Sequence, residues 1–220
     1  MTALRIAIVG AESTGKTTLA AALARHLRDE LGLVAVATPE ALRQWCDERG
    51  RTPRADEQAS IAGLQHELIE HAAHAADVVL CDTTPLMIAV YSELLFGDGS
   101  LEAQAFQSHA TMAFTLLTAP DIPWVADGRQ RDGPHVRVPV DRAVRSRLLR
   151  WNAAWGVVMG SGDARTAHAL DALRPVLSRW HAGRGRPLGL FSSLLDGAAG
   201  PPRPPLAACA RCDPPSVCPT

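Results

Sequence analysis

Residues 10–17 read GAESTGKT, and they follow the apolar run LRIAIV at 4–9 and open a helical pattern. A strand, a glycine-containing loop and a helix in this order are typical of a Walker A phosphate-binding loop. Gly10 and Gly15 let the loop bend around an anion with its backbone N–H groups turned inward, and the helix adds its positive end. The stretch therefore predicts a site for a nucleoside triphosphate; the alternative is a chance match to a short pattern.

Two side chains of this loop have chemistry of their own. Lys16 is placed to reach the β- and γ-phosphates, and Thr17 is placed to put its hydroxyl on the Mg²⁺ ion that accompanies the nucleotide. The loop therefore predicts ATP and Mg²⁺ as cofactors.

Composition favours one enzyme-sized domain with small-molecule chemistry. The chain has 220 residues, 47% hydrophobic and 20% charged, which suits a single α/β core followed by a tail. A net charge of −1 gives no overall attraction to nucleic acid or to an anionic membrane surface. No apolar stretch reaches the roughly 18 residues of a membrane span, and no leader pattern precedes 4–9. We therefore expect a cytoplasmic protein without nucleic-acid or membrane partners.

Short apolar runs alternate with longer helical patterns, which predicts a parallel sheet covered by helices on both faces. Strands are predicted at 4–9, 34–38, 77–82, 113–117 and 155–159. Helices are predicted from the loop to Gly32, at 55–76 and at 163–180. In the helix at 55–76, the apolar stripe consists of Ile61, Leu64, Leu68 and Ile69, and Gln58 and Gln65 share a different face.

We expect the chain to divide into a domain at 1–182 and a tail at 183–220, because the sequence after Gly183 is rich in Gly, Pro and Arg. Cys209, Cys212 and Cys218 lie close together in that tail. They could supply three ligands to zinc or an iron–sulfur cluster, although a closed tetrahedral site needs a fourth ligand and no His follows.

Two acidic residues lie where parallel strands are expected to end. Asp82 closes the buried-type strand VVLCD and is the candidate for the carboxylate of the magnesium shell; the alternative is a cap on the helix that starts near Pro85. Glu40 follows the second strand with Arg43 three residues on, and the pair could meet the phosphoryl acceptor. An exposed helix ion pair explains Glu40 and Arg43 equally well.

A polar segment at 120–142, rich in Gly, Pro and Arg, follows the fourth strand. It suits a lid that closes over the γ-phosphate and neutralises charge there, with an ordinary solvated loop as the alternative. Asp127 within it could pair with lid arginines or touch a hydroxyl. After the fifth strand, the turn at 160–165 could let backbone groups approach a nucleobase, or could simply begin a helix with Ser161 or Asp163 as its cap.

These features in their order resemble the nicotinamide-riboside kinase domain of NadR-type proteins, a P-loop kinase-like group. The similarity extends from the loop to about residue 175, roughly four-fifths of the chain. It rests on GAESTGKT at 10–17, PEALR at 39–43, Gln65-His66, DTT at 82–84 and DIPWVADG at 121–128.

The resemblance implies the P-loop NTPase fold: a three-layer α/β sandwich with a five-stranded parallel sheet in the order 2-3-1-4-5, as in nucleoside and nucleotide kinases. It implies ATP-dependent phosphorylation of a ribosyl hydroxyl. Residues implied to hold ATP and Mg²⁺ are Gly10, Glu12, Ser13, Thr14, Gly15, Lys16, Thr17, Thr18 and Asp82, with Gly160 and Arg165 near the base. Implied acceptor residues are Glu40, Arg43, Gln65, Trp124 and Asp127, and implied lid residues are Arg131 and Arg137.

The chain departs from the pattern of that family in two respects. Ala41 stands where the family tends to have an aromatic residue after the acidic one, which removes a possible stacking partner for the acceptor base. The nucleotidylyl-transferase and DNA-binding portions of full-length NadR proteins are not in this sequence, so we expect a stand-alone kinase-like domain.

Two classes of function fit these observations. The first is a small-molecule kinase in which positioning and electrostatics drive in-line transfer of the γ-phosphoryl group. The second is a nucleotide-dependent regulatory ATPase or switch that has the same loop but no complete acceptor pocket. A nucleic-acid 5′-kinase lacks support because there is no basic stripe, and a GTPase lacks support because there is no NKxD element.

Overall fold

Five parallel strands form one sheet in the computed structural model, which describes residues 2–126 and 133–183. The strands are β1 (Leu4–Val9), β2 (Ala35–Thr38), β3 (Val78–Asp82), β4 (Phe114–Thr118) and β5 (Trp155–Val158). Their order is β2-β3-β1-β4-β5, and all four neighbouring pairs are parallel. The predicted strand order is confirmed, and each predicted strand agrees with an observed one to within about one residue.

Seven helices connect the strands within the described ranges. They are α1 (Lys16–Leu31), α2 (Ala41–Arg49), α3 (Gln58–Ala75), α4 (Pro85–Phe96), α5 (Glu102–His109), α6 (Arg137–Arg150) and α7 (Gly162–Ala182). Short 3₁₀ turns at Ala55–Glu57 and Pro134–Val136 precede α3 and α6. None of these helices is both long and apolar enough to cross a membrane.

The sheet is covered on both faces, which gives the expected three layers. On one face α1 and α7 pack against β1 through Leu23, Leu27 and Leu173. On the other face α4 and α6 pack through Met87 and Val144. Each fully buried aliphatic side chain of this kind stabilises the fold by about 1.5–3 kcal/mol, so the two apolar layers hold the carboxyl edge of the sheet in place.

Helix α3 buries Ile61 and Ile69 of its predicted apolar stripe, but its core-facing side differs from the prediction at two other residues. Gln65 is fully buried, whereas Leu64 keeps 39% of its surface exposed. Gln65 can be buried because both ends of its amide are hydrogen-bonded to the backbone of the β2–α2 connection. The apolar stripe is therefore only partly confirmed: Leu64 is exposed, and the core-facing side includes Gln65, because a hydrogen-bonded amide can be buried among apolar side chains.

Several predictions fall outside the described part of the chain. Asp127 and Arg131 of the expected lid, and Cys209, Cys212 and Cys218 of the tail, lie in ranges that the structure does not describe. Helix α7 ends at Ala182. The division into a domain and a cysteine-containing tail stays a prediction.

Candidate functional site: a phosphate-binding loop that opens into a second-substrate cavity

The loop at 10–15 needs glycine at two places for different reasons. Gly10 has φ 144°, and a Cβ there would lie 2.8 Å from the carbonyl oxygen of Thr118, so β4 leaves no room for a side chain. Gly15 has φ 77° and begins α1 in the left-handed region. Ser13 also has a positive φ of 54°. These conformations curl the chain around the N-terminus of α1, where backbone N–H groups collect.

Internal hydrogen bonds help to hold this loop in shape. The Thr14 hydroxyl donates to the carbonyl of Ala11 at 2.8 Å and lies 2.7 Å from the hydroxyl of Thr118. Lys16 Nζ donates to the same carbonyl at 3.0 Å, so its ammonium lies over the loop. Lys16 is the only lysine in the whole sequence, and all other permanently charged cationic side chains are arginines.

Arg165 ties the loop to the β4 and β5 ends of the sheet. It is 4% exposed, and its guanidinium donates to the carbonyls of Gly160 at 2.6 Å, Thr14 at 2.5 Å and Ala119 at 3.3 Å. It also pairs with the carboxylate of Asp121, which accepts from the Gly160 N–H at 2.6 Å. Burial lowers the pKa of Arg165 from its ordinary value, and Asp121 opposes that change.

The structure thus brings Gly160 and Arg165 to the loop as expected, but Arg165 contacts protein groups. Each of its three guanidinium nitrogens already donates to the chain. Its position therefore fixes the loop and the turn after β5 relative to each other, and a nucleobase would meet the turn rather than the guanidinium.

A second buried arginine lies beside Arg165 with most of its donors unused. Arg137, at the start of α6, is 8% exposed and donates from Nη1 to the carbonyl of Ile122 at 2.9 Å. Its Nε and Nη2 atoms have no hydrogen-bond partner among the described residues. A buried cation in this condition favours an anion nearby. The segment that holds it touches the loop, because Val125 N–H donates to Ser13 Oγ at 2.8 Å.

Asp82 lies where a magnesium-shell carboxylate is expected. It ends β3 opposite Ile8 of β1, is 2% exposed, and lies close enough to the Thr17 side chain for that hydroxyl to affect its pKa. Burial is the main cause that raises the pKa of Asp82 from its ordinary value, with Glu40 adding to it, while the Thr17 hydroxyl and Lys16 lower it.

Asp82 is not explained as a helix cap. Thr84 occupies the N-cap position of α4, and Asp82 Oδ1 has no hydrogen-bond partner in the part of the chain described. A buried carboxylate oxygen without a partner, next to a threonine hydroxyl, fits one face of a Mg²⁺ ion whose other ligands are phosphates and water. The described residues contain no cluster of three or more His, Cys, Asp or Glu side chains that could hold a metal by themselves.

Three buried threonine hydroxyls lie near Asp82, and the sequence assigned a role to none of them, although Thr83 and Thr84 belong to the DTT motif at 82–84. Thr38 ends β2, and Thr83 and Thr84 follow β3; no partner for their Oγ1 atoms exists within the described ranges. Thr83 has φ 71°, an uncommon conformation for a β-branched residue. Buried polar atoms without partners at one sheet edge are what a site that binds water, an ion or a hydroxylated ligand leaves behind.

A cavity of about 340 Å³ opens beside the loop. Glu12, Ser13 and Lys16 form its loop end. Glu40 and Arg43 lie on the α2 side. A mixed polar and apolar wall comes from α2, α3, the connection between these helices, and the residue after β3. Its residues are Leu42, Cys46, Thr52, Pro53, Gln58 and Thr83. The remaining wall is one side of α4, with Met87, Ile88, Tyr91, Leu95 and Phe96.

Glu40 and Arg43 fit both of the interpretations that their spacing allowed. Arg43 Nη2 lies 3.3 Å from Glu40 Oε2, which is the expected i,i+3 ion pair. Both residues also line the cavity. Glu40 is the more enclosed partner, with 17% of its side chain exposed against 43% for Arg43.

Two residues expected in the acceptor pocket, Gln65 and Trp124, are not among the residues that line this cavity. Gln65 Oε1 accepts from the Ala41 N–H at 2.8 Å and its Nε2 donates to the Pro39 carbonyl at 3.2 Å, so it positions the start of α2. Trp124 lies on the segment that crosses the loop, and its Nε1 has no partner among described residues. Ala41 is fully buried, so an aromatic residue there would enter the core instead of the cavity.

The α4 wall escaped the sequence reasoning because α4 has no polar face. Its sequence, PLMIAVYSELLF, is apolar nearly all round, yet Leu95 and Phe96 keep 50% and 41% of their surface exposed. A helix apolar on every side, placed directly after a candidate catalytic strand, is the signal that could have predicted an apolar wall of a ligand site.

Comparisons with known proteins agree with this geometry. A family model described as an AAA domain, AAA_28, matches residues 5–165. No curated protein sequence matches the chain.

Solved structures of P-loop proteins share the fold. A crystal structure of NadR protein in complex with NR superposes with a TM-score of 0.65 at 21% identity, over 79% of this chain and 50% of that chain. NadR in complex with NAD and AMP-PNP gives 0.61 at 20% identity, over 79% and 49%. Thymidylate kinase from Ehrlichia chaffeensis gives 0.54 at 14% identity, over 80% and 100%.

These matches confirm the NadR-like P-loop architecture inferred from the sequence, and at such identities they establish the fold. The chain spans about half the length of the two NadR structures.

Proposed function

The chain belongs to the AAA domain family, and from that premise we propose that it is an ATP-dependent small-molecule kinase. Its proposed acceptor is a ribosyl hydroxyl of a nucleoside such as nicotinamide riboside, which would place it in NAD metabolism. NadR protein, which shares the fold, has been crystallised with NR and with AMP-PNP.

The observation that carries the proposal is the continuity of one cavity from the loop to α4. Lys16 lies at one end, Glu40 and Arg43 lie at its side, and the apolar wall of α4 lies beyond them. Its volume of about 340 Å³ falls within the range of small-molecule sites, roughly 300–1,000 Å³. A nucleotide switch needs only the loop, whereas a kinase needs this second compartment.

The donor side follows from the loop. Backbone N–H groups at 10–15 and the N-terminus of α1 would cradle the phosphates of ATP, and Lys16 would leave the Ala11 carbonyl to reach them. Thr17 and Asp82 would hold Mg²⁺, which when bound neutralises charge on the β- and γ-phosphates. The unpartnered Oδ1 of Asp82 supports this assignment.

The acceptor side divides the work between two carboxylates. Glu40 lines the cavity and Asp82 does not, so we assign Glu40 to the acceptor hydroxyl and Asp82 to the metal. The hydroxyl oxygen forms a bond to the γ-phosphorus as the bond to the β-bridging oxygen breaks, ADP leaves, and Glu40 accepts the hydroxyl proton. Catalysis then rests on positioning and on stabilisation of charge.

Arginines are proposed to neutralise the transferred group. Arg137 offers two buried nitrogens that have no hydrogen-bond partner in the described part of the chain, and Arg131 of the expected lid would join it. Trp124 and Asp127 of the same segment would reach the acceptor once the lid closes. Glu12 ties the loop to this segment, because its Oε2 lies 3.5 Å from the Gly133 N–H.

The test is Mg²⁺- and ATP-dependent release of ADP by the full chain across a panel of nucleosides headed by nicotinamide riboside. A reaction without acceptor and the Lys16→Met variant serve as controls. We expect one nucleoside to stimulate ADP release at least tenfold and to yield a phosphorylated product by mass spectrometry.

The same experiment separates the kinase from a regulatory ATPase. Slow ADP release that is equal with every compound and is lost in Lys16→Met would contradict the kinase and favour the ATPase. No ADP release and no binding of an ATP analogue would contradict both.

A further inference from the structure

A second cavity of about 280 Å³ lies at the opposite end of the sheet from the phosphate-binding loop. Thr115, near the amino end of β4, and the residues just before β5 form its floor, while α5 and the end of α6 form its walls. The loop follows the carboxyl ends of the strands, and Thr118, the β4 residue that contacts the loop, lies three residues beyond Thr115, or roughly 10 Å along the strand. The second cavity is thus a distinct place in the molecule.

A buried histidine with an unused ring nitrogen lines this cavity. His109 is 4% exposed, and its Nε2 lies 3.0 Å from the Thr115 hydroxyl. Its Nδ1 has no hydrogen-bond partner among the residues that the structure describes. A buried polar atom of this kind is rare in a folded protein and calls for a bound water or ligand group.

Aromatic rings make one wall of the same cavity. The rings of Phe106 and Trp151 lie 5.6 Å apart between centroids and are tilted by 59°, and those of His109 and Trp151 lie 5.5 Å apart. Phe106 keeps 45% of its surface exposed, so its ring is accessible to a ligand. The wall presents flat faces and edges against which another planar ring can pack.

The charge of the site limits what can bind. None of the nine described lining residues is acidic or is a lysine or arginine. Burial lowers the pKa of His109 to about 4, so its ring is neutral at pH 7. A charged ligand would lose its hydration here without gaining a counter-ion. The volume is also smaller than that of typical sites for drug-sized molecules.

We propose that this cavity is a binding site for a small, uncharged heteroaromatic ring of nucleobase or pyridine size. The ligand ring packs against Trp151 and Phe106, and one of its ring nitrogens or N–H groups hydrogen-bonds to Nδ1 of His109. This inference is independent of the proposed kinase activity, because no residue of the phosphate-binding loop takes part in it.

The test is a ligand-observed NMR titration of the full chain with benzimidazole and with indene, which has the same shape but no nitrogen. We expect saturable binding of benzimidazole, about tenfold tighter than that of indene, because only benzimidazole can satisfy the histidine nitrogen. His109→Phe keeps a ring at the site and should abolish that preference.

A second pair of variants keeps the proposal testable if His109→Phe does not fold. Ala154 is exposed at the mouth of the cavity, so Ala154→Leu should weaken benzimidazole binding at least tenfold with little effect on the core. Ala103→Leu, on an exposed position of α5 outside the cavity, is the matched control and should bind as the unmodified chain does.

Three outcomes would overturn the proposal. These are no saturable binding at millimolar benzimidazole, equal affinity for indene, and binding that Ala154→Leu leaves unchanged. In each of these cases the Nδ1 atom of His109 is satisfied by water alone.

Discussion

The two halves of the loop cavity are built in different ways. The donor half is one contiguous stretch of chain, residues 10–17, whose shape is fixed by backbone conformation and by hydrogen bonds to Thr118 and Arg165. The acceptor half is drawn from α2, α3 and α4 and presents mainly side chains. The shape of a half built from backbone depends on a few glycines and on the hydrogen bonds of Arg165. The ligand specificity of a half built from side chains can change with each substitution.

The same difference separates two neighbouring arginines. Arg165 uses its guanidinium on the carbonyls of Thr14, Gly160 and Ala119 and is part of the donor framework. Arg137 is equally buried but has two nitrogens without partners in the described chain. One arginine is therefore expected to matter for folding and the other for turnover.

Loss of the ammonium at the loop should have the largest effect. Lys16→Met keeps the length of the side chain, and we expect kcat to fall about 10³-fold because charge on the transferred group is no longer stabilised. The melting temperature should change little, because the hydrogen bond to the Ala11 carbonyl that is lost is only partly buried. Steady-state kinetics with the best acceptor checks this, and near-normal turnover would remove the loop from the mechanism.

The two arginines should respond oppositely to the same substitution. Arg165→Met strips buried carbonyls and Asp121 of their partner, so the free energy of unfolding should fall by about 3 kcal/mol. Arg137→Met removes a buried cation that has no carboxylate partner among the described residues, so stability should be unchanged or higher while kcat falls about 10²-fold. Urea unfolding and kinetics on both variants test this, and equal destabilisation would contradict the contrast.

Asp82→Asn should lower kcat about 10²-fold and alter the pH dependence of stability. Because burial raises the pKa of Asp82 above its ordinary value of 3.8, the folded state holds the proton more tightly than the unfolded state. Stability from this group is therefore present below that value and is lost as pH rises through the raised pKa. Asp82→Asn should remove this decline, which urea unfolding at a series of pH values measures.

On the acceptor half, Gln65→Leu should act through α2. It leaves the Ala41 N–H and the Pro39 carbonyl without partners, at about 1–3 kcal/mol in unfolding free energy. The KM for the acceptor should rise several-fold as Glu40 shifts, while the KM for ATP stays constant. Leu64→Gln, on the exposed side of the same helix, is the control and should stay within about 0.5 kcal/mol.

Sequence reasoning succeeded where a structural feature is local in the chain. GAESTGKT and the strand that ends at Asp82 could be found because both are short runs whose spacing reflects backbone geometry. The sheet order came with the family resemblance. Gln65 and the wall of α4 could not be assigned correctly, because the burial of an amide and the exposure of Phe96 depend on partners that are remote in sequence.

Arg165 shows that a residue's location can be predicted from the sequence while its contacts cannot. Its location near the nucleotide site was predicted, but its bonds to carbonyls from three separate segments were not, because no spacing in the chain encodes them. The three threonine hydroxyls near Asp82 could not be given a role for a related reason: threonine is common at strand ends, and only the absence of partners among the described residues makes these hydroxyls notable.

The single lysine has a practical consequence for chemistry in solution. Since Lys16 has the only side-chain amine in the sequence, a reagent that acylates amines can mark one side chain, apart from the α-amino group. The amine lies against a carbonyl of the loop, at the mouth of a 340 Å³ cavity. Occupancy of the site can therefore be followed as protection of one residue from acylation, read by mass spectrometry of the intact chain.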